Sequence, residues 1–68
     1  MSVVDWIGIP ATRATWGMVE GVNRFYVYLS TAVPGESRRW RAYDTATKRY
    51  IGRSADEAGA RALCEATL

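Results

Sequence analysis

Hydrophobic and polar positions alternate with a period of two through the middle of the chain and change to a helical period near its end. The clearest alternation is Arg24-Phe25-Tyr26-Val27-Tyr28-Leu29-Ser30, where Phe25, Val27 and Leu29 fall on one side and Tyr26 and Tyr28 on the other. Aromatic and β-branched residues in strict alternation predict a strand with one buried face. A strand before it, Thr15 to Glu20, is separated by the turn-forming Gly21-Val22-Asn23. Pro34-Gly35 reads as a type II turn, because proline presets the first central φ and glycine accepts a positive φ at the second. The strand that follows, Arg38 to Tyr43, sets Trp40 and Ala42 toward the core and Arg39, Arg41 and Tyr43 away from it. Asp44-Thr45-Ala46-Thr47 connects to a short fourth strand, Lys48 to Arg53, and residues 1–10 form an extended N-terminal arm closed by Ile9-Pro10.

Beyond Arg53 the period changes. Ser54-Ala55-Asp56-Glu57 has the form of a capping box, in which the serine and the glutamate satisfy two orphaned backbone donors at a helix start. Asp56 is favoured there by the positive end of the helix dipole. A helix over 55–67 would turn Ala55, Ala58, Gly59, Ala62, Leu63 and Ala66 to the sheet, with Glu57, Arg61 and Glu65 outside. Such a small-residue face leaves the bulk of the core to Trp16, Phe25, Val27, Leu29, Trp40 and Ile51, with Trp6 as a further buried aromatic. The expected fold is α+β, a single domain spanning 1–68. It is an antiparallel β-meander of three to four strands over 15–53, with one C-terminal helix packed on one face.

Composition narrows what such a domain can do. The 68 residues include no histidine and one cysteine, Cys64. A Cys/His zinc site, an internal disulfide and a Ser-His or Cys-His nucleophile pair are therefore excluded. Asp56 and Glu57 are adjacent, but neighbours on a helix point about 100° apart, and both have a role in starting it. Cys64 falls opposite the small-residue face and reads as a partly exposed, incidental thiol with no group nearby to activate it. No catalytic residue, cofactor or metal is expected. The chain starts at a methionine without a basic leader, contains no apolar run near the roughly 18 residues of a membrane span, and holds a single thiol. It therefore reads as a complete cytoplasmic gene product with no membrane partner.

The charge is unevenly placed. Overall it is +2, yet 38–53 carries six basic residues against one acid, a net of +5, and the remainder is at −3. Arg38, Arg39, Arg41, Lys48, Arg49 and Arg53, with Tyr26, Tyr28 and Tyr43, form the candidate binding surface. Guanidinium groups fork onto phosphates, and aromatic rings stack on bases. The same residue types anchor protein interfaces. A charged outer face is also the ordinary way to keep one side of an antiparallel sheet wet, and tyrosines opposite one another stabilise a sheet.

From Arg38 to Ala62, the segments Trp40-Arg-Ala-Tyr-Asp44, Tyr50-Ile-Gly-Arg53 and Ser54-Ala-Asp-Glu-Ala58 with Ala60-Arg-Ala62 resemble the DNA-binding domains of plant ethylene-response factors and their phage-integrase relatives. That resemblance implies a sheet that enters the major groove, with Arg39, Arg41 and Arg49 as readers. The family's basic first strand has no counterpart in Trp16 to Glu20, which carries an acid. By size and type the chain is also similar to small inhibitors encoded by phages and mobile elements, anti-CRISPR proteins among them. Two functions are expected from these readings. The first is a non-catalytic inhibitor or regulator that docks on a nucleic-acid-handling protein complex as a monomer or weak homodimer. The second is a module that reads DNA or RNA directly through its sheet.

Overall fold

The computed structural model describes residues 3–10, 12–30 and 39–68. The Pro34-Gly35 turn and Arg38 lie outside these residues. Five antiparallel strands follow one another in chain order: β1 (Val4–Gly8), β2 (Ala14–Val19), β3 (Val22–Leu29), β4 (Trp40–Asp44) and β5 (Arg49–Ser54), with the helix α1 (Glu57–Glu65) after them. The α+β class and the C-terminal helix are as expected, but the strand count is five in place of three to four. The additional strand comes from the N-terminal arm, where Val4 to Gly8 pair residue by residue with Val19 to Thr15.

The β2–β3 connection is tighter than the expected Gly21-Val22-Asn23. Val19 and Val22 already oppose one another, leaving the two-residue loop Glu20-Gly21, both at positive φ (52° and 77°). These angles fit a type I′ hairpin, whose twist matches that of the flanking strands. At the β4–β5 turn, Asp44 Oδ1 accepts hydrogen bonds from the N–H groups of Ala46 (2.9 Å) and Thr47 (3.1 Å). Lys48, at φ 56°, completes this turn and does not begin a strand.

The core lies between the sheet and α1, built on Val4 of β1, Phe25, Val27 and Ala42 of the central strands and Ala60 and Cys64 of the helix. Trp40, Ile51 and Leu63 pack against it. Trp6 and Trp16 have the opposite disposition from a core led by Trp16. Thr15 and Gly17 are the β2 residues on the helix side, and Trp16 therefore points to the open side, where its ring meets Tyr26. Trp6 instead lies under the sheet, stacked on Phe25 at 6.2 Å. Gly17 makes this possible: a Cβ there would stand 2.8 Å from Trp6 Cζ3 and 3.0 Å from Phe25 Cβ.

The helix begins two residues later than expected and presents a different face. Its cap is Asp56, whose Oδ1 accepts from the Gly59 N–H at 2.7 Å, while Ser54 Oγ is 3.5 Å from the Asp56 N–H. Glu57 does not reach back to close a capping box. It accepts from Thr15 Oγ1 and from Arg61 Nη2, each at 2.8 Å, and so ties the helix to β2. The Arg61 guanidinium lies 5.4 Å from the centre of the Trp6 ring. Because Glu57 pairs with Arg61 and Thr15, and the Arg61 guanidinium lies over Trp6, this side turns inward. Ala60 and Cys64 are buried with it, and Ala55, Ala58, Ala62 and Ala66 are exposed.

Two carboxylates are held below their ordinary pKa. Burial alone raises Asp44, but hydrogen bonds from Thr47 and Ala46 and the charge of Arg24 outweigh it. Glu57 is lowered by the Thr15 hydrogen bond and by Arg61.

Replacing Gly17 with alanine is expected to cost about 1–3 kcal/mol through the forced displacement of Trp6, read as a lower urea midpoint and a changed tryptophan spectrum. For both carboxylates the folded pKa is the lower one, so their stabilisation is present above the ordinary value of about 4 and is lost as pH falls through the folded pKa. Urea midpoints should therefore drop on the acid side, and Asp44→Asn with Glu57→Gln should flatten that fall.

Candidate docking face on the open side of the sheet

The side of the sheet away from α1 is crossed by one row of large side chains. In register from β1 to β5 these are Ile7, Trp16, Tyr26, Tyr43 and Tyr50. Side chains opposite one another in an antiparallel sheet share a face and touch. Trp16 and Tyr26 have ring centroids 4.6 Å apart, and Tyr26 and Tyr28 are 5.0 Å apart and nearly parallel. The row becomes more open toward the sheet edges, with Ile7 53% and Tyr50 49% exposed.

A second row runs beside it: Ala14, Tyr28, Arg41 and Arg53. Arg41 Nη1 donates to Tyr50 Oη at 3.2 Å, which links the basic row to the aromatic one. Arg39 precedes β4, its carbonyl accepting from the Ser30 N–H at 2.8 Å. Two residues from Arg41, it extends the basic row at the strand entrance.

Five of the nine residues singled out by sequence thus share this face: Tyr26, Tyr28, Arg41, Tyr43 and Arg53. Three stand apart from that cluster or at its margin. Arg39 is marginal, and Lys48 sits in the β4–β5 turn. Arg49 opposes Asp44 on the helix side, at an open cavity of about 550 Å³ that Arg24 and Thr67 also line. The cause of Arg49's position is a bulge. Ala42 opposes Gly52 but Tyr43 opposes Tyr50, leaving Ile51 as the extra residue. It packs inward and reverses the phase of everything before it.

Sequence reasoning missed Trp16, Tyr50 and Ile7 as members of the face. For Trp16 the signal was Gly17, since a residue without a side chain marks the face where something else approaches closely. Tyr50 depends on the bulge, and Ile7 on recognising β1.

Off this face, Asp44 serves the fold. Asp44 Oδ2 lies 3.4 Å from Arg24 Nε, and Oδ1 serves the turn. Among the described residues no three of His, Cys, Asp and Glu gather as a metal-binding group. No described helix is long and apolar enough to cross a membrane.

Cys64 departs from the expected partly exposed thiol. It has no exposed surface, and burial, reinforced by the charges of Asp44 and Glu65, pushes its pKa up to about 12. The reactive species is the thiolate. Disulfide reagents at neutral pH should therefore leave the folded protein unmodified and titrate one thiol after urea is added, as followed by absorbance. Protein-family models, curated proteins and solved structures alike yield no match to this chain.

Proposed function

We propose that this chain is a non-catalytic binding protein that docks on a macromolecular partner through the open face of its sheet. The partner is in the first place a protein of a nucleic-acid-handling assembly, which the chain inhibits or regulates by occupying it. The observation behind this reading is the row Ile7–Trp16–Tyr26–Tyr43–Tyr50, which no other described element covers, with Arg41 and Arg53 alongside. Tryptophan, tyrosine and arginine are the residues that most often anchor protein interfaces, through large rigid contact area and forked hydrogen bonds. A matching surface is apolar at its centre and acidic along one side. The chain's lack of histidine and of a nucleophile–base pair accords with action by occupancy.

A second reading, direct binding of DNA or RNA, has its own support. The rings and guanidinium groups stand in adjacent rows, as base stacking with phosphate contact requires. It ranks second because Arg49 and Lys48 lie off this face, and phosphate contacts supply much of the affinity of nucleic-acid binders.

A photo-crosslinking residue at Tyr43, compared with one at Ala62 on the outer helix surface, tests the first reading in cell lysate. A specific protein should be captured from position 43, and Arg41→Glu/Arg53→Glu should abolish the capture. Fluorescence anisotropy with random single-stranded and duplex DNA should in parallel show no salt-sensitive binding. Tight binding that weakens steeply with salt and disappears in the double variant, without any captured protein, would replace the first reading with the second.

A further inference from the structure

The two edges of the sheet are built differently. On β5, a bulge at Ile51 interrupts the ladder, and Arg49 and Arg53 flank it. Bulges and basic residues are the usual devices that keep an edge strand from pairing with another chain. On β1, five residues pair with β2 without a register shift, and no lysine, arginine or proline occurs within the strand. Its one charge is Asp5, and Ile7 is 53% exposed.

We infer that β1 is a pairing edge, and that its occupant is β1 of a second copy of this chain, related by a two-fold axis perpendicular to the sheet. A head-to-tail arrangement would need the outer edge of β5, which the bulge and the arginines oppose. The two-fold arrangement uses β1 alone.

The register follows from the hydrogen-bond pattern. The Ile9 N–H donates to the Ala14 carbonyl at 3.0 Å. In an antiparallel pair bonded and non-bonded positions alternate, so Ile7 and Asp5 bond to β2, and the backbone groups of Trp6 and Gly8 turn to the outer edge. Centring the axis on Asp5 would oppose two carboxylates on one face, which is unfavourable. Centring it on Trp6 would set two indoles side by side and Asp5 against Ile7.

Centring it on Ile7 avoids both. Each Trp6 then opposes Gly8 of the second copy, and a Cβ at Gly8 would meet nothing within 4 Å. With no side chain at Gly8, each indole keeps its own place over Gly17 and meets no bulky neighbour across the new pair. Asp5 comes opposite Ile9, next to the turn that carries the exposed Arg13, so opposite charges approach. The two Ile7 side chains meet on the open face and join both aromatic rows into one surface ten strands wide.

The test combines sedimentation with a crosslink. Facing residues at a non-bonded position have Cα atoms about 4.5 Å apart, within the range of about 4.4–6.8 Å for a disulfide. Ile7→Cys should form a disulfide-linked dimer on mild oxidation, whereas Thr47→Cys, in the distant β4–β5 turn, should remain monomeric. The buried Cys64 does not compete. In sedimentation, the unmodified chain should move from monomer to twice that mass as its concentration rises from micromolar to millimolar. Ile7→Lys should stay monomeric with an unchanged melting temperature. Gly8→Pro, which removes an outward N–H without touching the bonds to β2, should behave the same way. A monomer at every concentration, or crosslinking of Ile7→Cys no faster than of Thr47→Cys, overturns the inference and leaves the docking reading of the open face untouched.

Discussion

One short helix cannot cover five strands, and the fold is arranged around that shortfall. The nine residues of α1 extend about 13 Å, while four inter-strand spacings make the sheet about 19 Å wide. The helix packs on β3, β4 and β5. The side over β1 and β2 that the helix leaves is filled chiefly by one indole, that of Trp6, lying on Gly17 and Phe25 and bordered by Arg61, with Val4 and Val19 beside it. Much else follows from this placement. Gly17 must lack a side chain, Trp16 must take the other face, and the charged pair Glu57–Arg61 turns inward, where Thr15 and the Trp6 ring complete its contacts.

The open face is in this sense a product of the core. With Trp6 occupying the helix side, the second tryptophan joins the tyrosines, and an aromatic row forms whose members shield one another and, among the described residues, lack an overlying layer. A face that buries its rings only against its own neighbours leaves their outer surfaces wet, which is the condition under which a partner gains most by covering them. The arginine row lies to one side of that apolar strip, so the face has a direction as well as a centre.

The parts of this architecture that were legible in the sequence are those set by local rules. β3 was read from strict alternation, and its inward residues Phe25 and Val27 are fully buried. The Asp44–Thr47 connection and the helix after Ser54 were read from turn and cap chemistry. The illegible parts depend on partners distant in the chain. β1 is a strand because β2 is there to pair with it. Arg49 stands on the helix side because a bulge shifts phase without any mark that alternation can detect. On α1, counting alanines chose the exposed stripe, since an alanine is as well suited to a solvent-facing helix position as to a buried one. The burial of Cys64 is ordinary for a small, weakly polar side chain. The candidate face was therefore legible as to three of its tyrosines and two of its arginines, while Gly17 was the one local mark of its tryptophan and Tyr50 came from the three-dimensional register alone.

Every strand in the sheet pairs only with its neighbours along the chain. This ordering bears on how the molecule forms and opens. Connections run from two residues at β2–β3 to ten at β3–β4, so the entropy of bringing neighbouring strands together stays modest, and a sheet of this kind can assemble by stepwise addition from the tight β2–β3 turn outward. The helix, last in sequence, then closes over strands already in place. In the reverse direction β1, held on one side only, is the first strand able to detach without disturbing the others. The Trp6 contact on which the core depends is thus carried by an edge strand that α1 does not pack on. Local opening at this end would expose Phe25 while β3, β4 and β5 remain paired.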